Sequence, residues 1–288
     1  MNRTGIRFFY LIYVLSATVF FLYWNFPSEA VKTYLVTHAN RVHPDLRITM
    51  DHIKPVFPPG IQIDIRLHHG DRTLFFAQKL KAVPQLKSFF GQKTIYNLSG
   101  ITYGGKLKGT LSLSENKPAH QIYIDANLFG IQLEKIPIVQ SLFEADISGT
   151  CDGRVIYRDR VGRRGRFNTK FSVSGCKLKS TTPFLGSEIL VINQITAEVV
   201  IDNNRFQIKN CMLKGPQGSG RLSGIITLRY PPQASTLNLT GTLNPSSEFL
   251  AVLEKEYGNS RFSKKGSDRM DLFFRIDGAL KSPNVVFN

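Results

Sequence analysis

Catalytic signatures are what this chain lacks most plainly. It contains no HExxH, GxSxG or P-loop run, so the zinc-peptidase, serine-elbow and nucleotide-cradling readings have no carrier. A serine and a histidine brought together by folding stay open in principle, and no residue points to such a pair. Cysteine is scarce: Cys151, Cys176 and Cys211 stand 25 and 35 residues apart, which fits neither a CxxC redox pair nor a zinc cluster. One disulfide between two of them stays open, as does the plainer reading of small buried hydrophobes. Histidine is thin. His38 and His43 follow the first apolar run, His52 lies in a strand and His120 starts one, while His68-His69 and Asp71 sit at a hairpin tip. Adjacent strand residues face opposite ways, which makes His68, His69 and Asp71 a poor ligand set. No metal, no cofactor and no enzymatic activity are therefore expected. Acid is under-represented too, at 21 Asp and Glu against 37 Lys and Arg, for a net charge of +16 that favours anionic partners. With neither a zinc-finger nor an RNP pattern, nucleic acid is not among the partners expected.

Long apolar runs are also absent, with one exception. Residues 8–26 (FFYLIYVLSATVFFLYWNF) carry no charge and follow Arg3 and Arg7. As a helix they span about 28 Å, close to the hydrocarbon thickness of a bilayer, and only a helix or a closed barrel crosses there. Tyr23 and Trp24 stand at the far end, where amphipathic rings anchor in the headgroup layer. A cleaved secretory signal is the competing reading. Its small-residue patch, Ser16 and Ala17, lies inside the run with no cleavage site after it. The expectation is an uncleaved anchor at 8–26, a cytoplasmic tail at 1–7, a membrane-proximal helix or linker at 27–45, and a β-rich domain at 46–288 outside the cytoplasm. In 27–42, Val31, Leu35 and Val42 recur at helical spacing behind Pro27 and a capping Ser28, which reads as an amphipathic helix near the membrane surface.

From residue 46 the apolar period becomes two. Leu46, Ile48 and Met50 alternate with polar residues, and Ile61, Ile63, Ile65 and Leu67 alternate again after the turn Phe57-Pro58-Pro59-Gly60. The pattern recurs at 107–113, 121–128, 146–157, 166–178, 195–201, 206–213, 220–229, 237–243 and 272–280, with Gly, Asn or Pro between. Such spacing implies antiparallel hairpins with one wet and one buried face. Short helices are expected at 83–90, 136–143 and 245–257, the last with Phe249, Leu250, Leu253 and Tyr257 on one side and Gly258 as cap. They read as lids on the apolar face. A small unit, an apolar residue, then Ser, Thr or Asp, then Gly, recurs at Leu98-Ser99-Gly100, Ile147-Ser148-Gly149, Leu222-Ser223-Gly224, Leu239-Thr240-Gly241 and Ile276-Asp277-Gly278. Glycine inside a strand marks a bulge or bend, and repeated bends would curl the sheet into a trough or partly closed wrap. The fold class expected is thus mainly β: one N-terminal transmembrane helix, then a curved antiparallel sheet with a few short covering helices.

Charge is densest at 154–170 (RVIYRDRVGRRGRFNTK), where Arg158, Arg160, Arg163, Arg164 and Arg166 surround Gly162 and Gly165. Those arginines form a candidate patch for an anionic partner, since guanidinium grips phosphate and carboxylate bidentately. The plainer alternative is a hairpin kept soluble by charge. A second basic loop, 260–269, fits that alternative better.

Taken together, the leading apolar run, Phe26-Pro27 at its exit, the turn at 57–61 and the repeated strands resemble the general secretion pathway protein N family of type II secretion systems. Residues 122–157 (IYIDANLFGIQLEKIPIVQSLFEADISGTCDGRVIY) look like the strand, short helix, strand unit of that family and of AsmA-like proteins, and 276–287 (IDGALKSPNVVF) is similar to their ending. Ala279 stands where threonine is usual, and the long arginine hairpin is a departure. The resemblance implies a single-pass protein of the bacterial inner membrane with its bulk in the periplasm, acting through protein contacts rather than catalysis. Implied partners are the bilayer, other inner-membrane secretion components and the outer-membrane channel. The alternative it implies is an AsmA-like protein that binds or moves phospholipid, holding acyl chains on the apolar face of a curved sheet.

Overall fold

The computed structural model describes residues 3–42, 47–69, 72–114, 121–137, 139–140, 145–160, 163–184, 187–229, 234–257 and 271–287. The chain is mainly β and divides into two compact units, Met1–Val83 and Pro84–Asn288.

The first unit begins with helix α1, Arg3–Trp24, which ends as Asn25 N–H closes on the Phe21 carbonyl, two residues before Pro27. Pro27 cannot continue the ladder. Helix α2, Ser28–Val42, restarts at once with Glu29 in its first turn, where a carboxylate complements the helix dipole. Among the described residues no helix is long and apolar enough to cross a membrane, so the expected transmembrane helix is not supported by that measure. α1 also starts earlier than the uncharged run and takes in Arg3 and Arg7.

Strands β1 (Arg47–Val56), β2 (Gly60–His69) and β3 (Arg72–Pro84) form the sheet of this unit, antiparallel and in sequence order. Met50, Ile53 and Ile63 are its buried centre, and Phe26, Val31, Leu35 and Val36 pack onto them. The apolar side that a surface-lying helix would offer to lipid is, in α2, turned to the strands. The segment 83–90 differs from the expected helix. Val83 and Pro84 finish β3, and only Leu86–Phe90 coils, as a single 3-10 turn whose Ser88 hydroxyl donates to the Gln85 carbonyl and accepts from Ile95 N–H.

The second unit is one antiparallel meander: β4 (Lys93–Thr102), β5 (Gly105–Ser114), β6 (Gln121–Gln132), β7 (Ala145–Arg160), β8 (Arg163–Phe184), β9 (Ser187–Asp202), β10 (Arg205–Gly215), β11 (Gly218–Thr227), β12 (Thr236–Pro245), β13 (Leu272–Ala279) and β14 (Ser282–Phe287). Each strand pairs with its neighbours in sequence. Helix α3, Ser247–Tyr257, lies between β12 and β13; Ser246 Oγ accepts the Phe249 N–H at 3.3 Å as its N-cap. Phe249 and Leu250 pack with Leu272, Phe274 and Phe287, so α3 does cover the sheet. Leu133 and Val139 do the same over Ile147, Val173 and Cys176. Of the helix expected at 136–143, Pro137, Val139 and Gln140 are helical and the remainder falls largely outside the described residues, as does Gly258.

Bulges arise differently from the expectation. Five strands break their two-residue apolar period with a step of three: Met50 to Ile53, Ala77 to Leu80, Leu128 to Ile131, Val173 to Cys176 and Ile208 to Cys211. The ladder slips by one residue at each step. In four of them the residue before the second apolar one takes a left-handed backbone: His52 (φ 51°), Lys79 (φ 49°), Gly130 (φ 64°) and Gly175 (φ 61°). Two of these are held by an aspartate opposite. Asp64 Oδ1 accepts Lys79 N–H at 2.7 Å, and Asp152 Oδ1 accepts Gly130 N–H at 2.8 Å. The glycines of the recurring small unit sit opposite such a bulge, as Gly149 does, flank one, as Gly224 does beside Ser223, or lie in unbroken ladder, as Gly100 and Gly241 do. Bulges bend a strand and increase its twist.

Candidate functional site

Register, not sequence proximity, assembles the most extensive feature of the second unit. Because side chains alternate across a strand, cross-strand partners share a face. From β5 to β10 the paired residues Leu111, Ile124, Tyr157, Phe167, Ile201 and Phe206 form one unbroken row, which Ile226 and Leu237 extend to β12. A parallel row runs through Leu107, Leu128, Gly153, Phe171, Ala197, Cys211 and Leu222. The lids from α3 and from Leu133 and Val139 meet this same face. Most side chains of the first row are only half-buried, and Phe167 is 39% exposed. Tyr157 and Phe167 pack ring to ring with centroids 4.7 Å apart, and the Tyr157 ring occupies the space that a Cβ on Gly165 would need. The apolar face thus carries an accessible, continuous hydrocarbon path.

The opposite face is polar and holds two of the arginine candidates, Arg158 and Arg166. Arg158 is directly opposite Arg166, and Arg160 opposite Arg163 after a one-residue slip. Like charges placed across a ladder disfavour the pair. Arg158 is exposed and stacks on the Tyr123 ring, 5.5 Å from its centre, while Arg166 Nε is enclosed without a hydrogen-bond partner. Arg164 is in β8, and the side chains of Arg160, Arg163 and Arg164 fall outside the described residues. Arg154, not singled out from sequence, is the better placed: it grips Asp125 with Nε at 2.8 Å and Nη2 at 2.6 Å. That hydrogen bond holds the Asp125 carboxyl below the usual carboxylate range. Only the β6–β7 register brings residues 29 apart into this pair, so no local motif could have announced it.

Farther along that face, Asp152, Lys170, Ser172, Thr196, Glu198 and Met212 line an open depression of about 490 Å³. Glu198 lies between Lys209 at 3.1 Å and Lys170 at 3.2 Å, whose hydrogen bonds lower its pKa. A carboxylate already held by two ammonium groups is a poor base, and no histidine or thiol lines the depression.

The remaining candidates do not converge. His68 has Thr49 Oγ1 at 3.4 Å and Thr73 Oγ1 at 3.3 Å, the His69 side chain and Asp71 fall outside the described residues, and no three ligand-type side chains gather among those described. His52 Nδ1 is 3.1 Å from Asp64. His43 and His120 lie outside the described residues, and of His38 only its place in α2 is described. All three cysteines are free. Burial and the nearby Asp152 charge push the Cys151 thiol up to about 11, and burial raises those of Cys176 and Cys211. Such thiols are poor nucleophiles. Of the two interface aromatics, Tyr23 donates its hydroxyl to the Val56 carbonyl, and Trp24 is 76% exposed. No family model, curated protein or solved structure matches this chain.

Proposed function

We propose that this is a non-catalytic protein of the bacterial inner membrane, held by α1 with its bulk in the periplasm, whose curved sheet receives apolar chains such as those of phospholipid. The observation that carries the proposal is the half-buried row through Leu111, Ile124, Tyr157, Phe167, Ile201 and Phe206. A water-facing sheet has no use for a row of that length, whereas hydrocarbon laid along it would be removed from water. Repeated bulges favour a trough or partial wrap over a flat ribbon.

The anchor reading rests on α1 as one unbroken helix of 22 residues, about 33 Å long. Its described surface is aromatic and aliphatic, with Phe9, Tyr10, Leu11, Tyr13 and Phe20 all exposed. Although no helix among the described residues is long and apolar enough to cross a membrane, the run 8–26 that makes up most of α1 carries no charge, and that supports the reading. A reporter enzyme active only in the periplasm, fused to the carboxyl end, is expected to be active; cytoplasmic activity would remove the reading.

The lipid-handling role is tested by mass spectrometry of the gently purified full chain. Co-purifying phospholipid is expected, with loss of it in Phe167→Asp or Ile201→Glu; a lipid-free wild type would overturn it. A second reading, a structural component of a type II secretion system, is favoured by residues 122–157. They fold as β6, a short 3-10 turn at Leu133–Lys135 and β7, the element order that the family resemblance implies. In that setting the arginine end of β7–β8 is the face for an acidic partner. Deleting the gene and assaying secreted enzymes outside the cell tests this, and unchanged secretion would dismiss it.

A further inference from the structure

We propose that the β1–β2 turn, Phe57-Pro58-Pro59-Gly60, is a second membrane contact, seated in the headgroup layer of the same bilayer that holds α1, with Lys54 and Lys81 behind it to meet anionic lipid phosphates. The inference rests on the reading of α1 as an anchor.

Three observations within the first unit carry it. First, the Tyr23 hydroxyl donates to the carbonyl of Val56, the last residue of β1. Tyr23 lies one residue before the end of α1, at the level where amphipathic rings meet headgroups. The bond therefore sets the depth of Val56, and Phe57 follows one Cα step of about 3.8 Å later. The interfacial layer on each side of a bilayer is roughly 5–8 Å thick. Phe57 thus falls at or beside that layer whichever way the turn points.

Second, the turn offers lipid an apolar tip that the fold does not use. Phe57 is 82% exposed, comparable to Trp24 at 76%, and Pro58 and Pro59 are exposed as well. The nearby core is already filled, because Phe26 and Val31 occupy the space over Met50, Ile53 and Ile63. A single exposed phenyl ring is ordinary on a protein surface. One that directly follows a residue hydrogen-bonded to the end of an aromatic-rich helix is held near that helix's own apolar surface.

Third, charge sits where headgroups would be. Lys54 is opposite Gln62, and Gln62 opposite Lys81, so both exposed lysines share the sheet face away from α2, close behind the turn. Long ammonium side chains reach to phosphate while their stems lie on apolar surface. The apolar side of α2 is turned to the strands, which leaves the turn as the second contact.

Trp24 is the only tryptophan of the chain, which makes the test direct. The full chain is reconstituted in phosphatidylcholine vesicles with and without one quarter phosphatidylglycerol, using lipids brominated near the headgroup end of the acyl chain. Quenching of Trp24 reports on α1. In a Trp24→Phe background, Phe57→Trp reports on the turn, and Pro59→Trp serves as a second reporter should the first disturb folding. Both reporters are expected to be quenched at least half as strongly as Trp24, and Lys54→Glu with Lys81→Glu should reduce turn quenching only in the phosphatidylglycerol vesicles. Quenched Trp24 with unquenched turn reporters would overturn this inference alone, and would direct the turn to a protein partner or to water. Unquenched Trp24 would overturn the anchor reading and this inference with it.

Discussion

Gly130 and Gly109 are glycines for different reasons, and substitution should tell them apart. At Gly130, φ is +64° and a Cβ would meet nothing within 4 Å, so the requirement is conformational. Gly130→Ala should cost about 1 kcal/mol, the usual strain of a side chain in the left-handed region. At Gly109 the backbone is ordinary, but a Cβ would run into the Asp125 carbonyl oxygen and lie 2.7 Å from Ala126 Cα. Gly109→Ala should cost about 1–3 kcal/mol because the β5–β6 backbones must part. Urea midpoints measured side by side check the order. Asp125 gives a pH dependence with a definite sign. Its hydrogen bond to Arg154 depresses the folded-state pKa below the model-peptide value of 3.8, so the pair's contribution is present above that value and fades as pH falls through the folded one. Asp125→Asn should lower the thermal midpoint at pH 7, with the gap to wild type narrowing below about pH 4. A gap that widened on acidification would reverse the assignment.

Helix α3 separates capping from packing within one element. Ser246→Ala removes the acceptor for Phe249 N–H and should cost about 1 kcal/mol. Phe249→Ala empties a position 6% exposed between Leu272 and Phe287 and should cost about 3–4 kcal/mol. Chemical denaturation of both variants tests the difference. Most strands were legible because period-two alternation survives in them, as in Gly105–Ser114 and Thr236–Pro245. β3, β4 and β14 were not; in β3 the apolar step from Ala77 to Leu80 breaks the period, and its end at Val83 and Pro84 was taken into the helix expected at 83–90. The same steps of three mark the bulge in each of those five strands and are written in the sequence, whereas the glycine units mark a bulge only in part, at Gly149 but not at Gly100 or Gly241. Candidate sites fared less well. The arginine cluster was visible as composition, but Arg154–Asp125 and the apolar row are products of register, which one sequence does not state.

At the scale of the molecule, the second unit is held together by nearest neighbours. Each of its strands bonds to those before and after it in sequence, and β7, β8 and β9 are the longest, at 16, 22 and 16 residues. Protection should therefore grade along the meander. Amide exchange is expected to be slowest in β8 and β9 and fastest in β13 and β14, and uniform protection across the unit would contradict this picture. A further consequence follows from the same topology. No crossover threads the meander, so excising or duplicating a single hairpin would alter its breadth by about 10 Å, two inter-strand spacings, while every other pairing stayed as it is. Such an architecture is adjustable in increments, with evolution free to set the reach of the oily surface much as one sets a ruler's length.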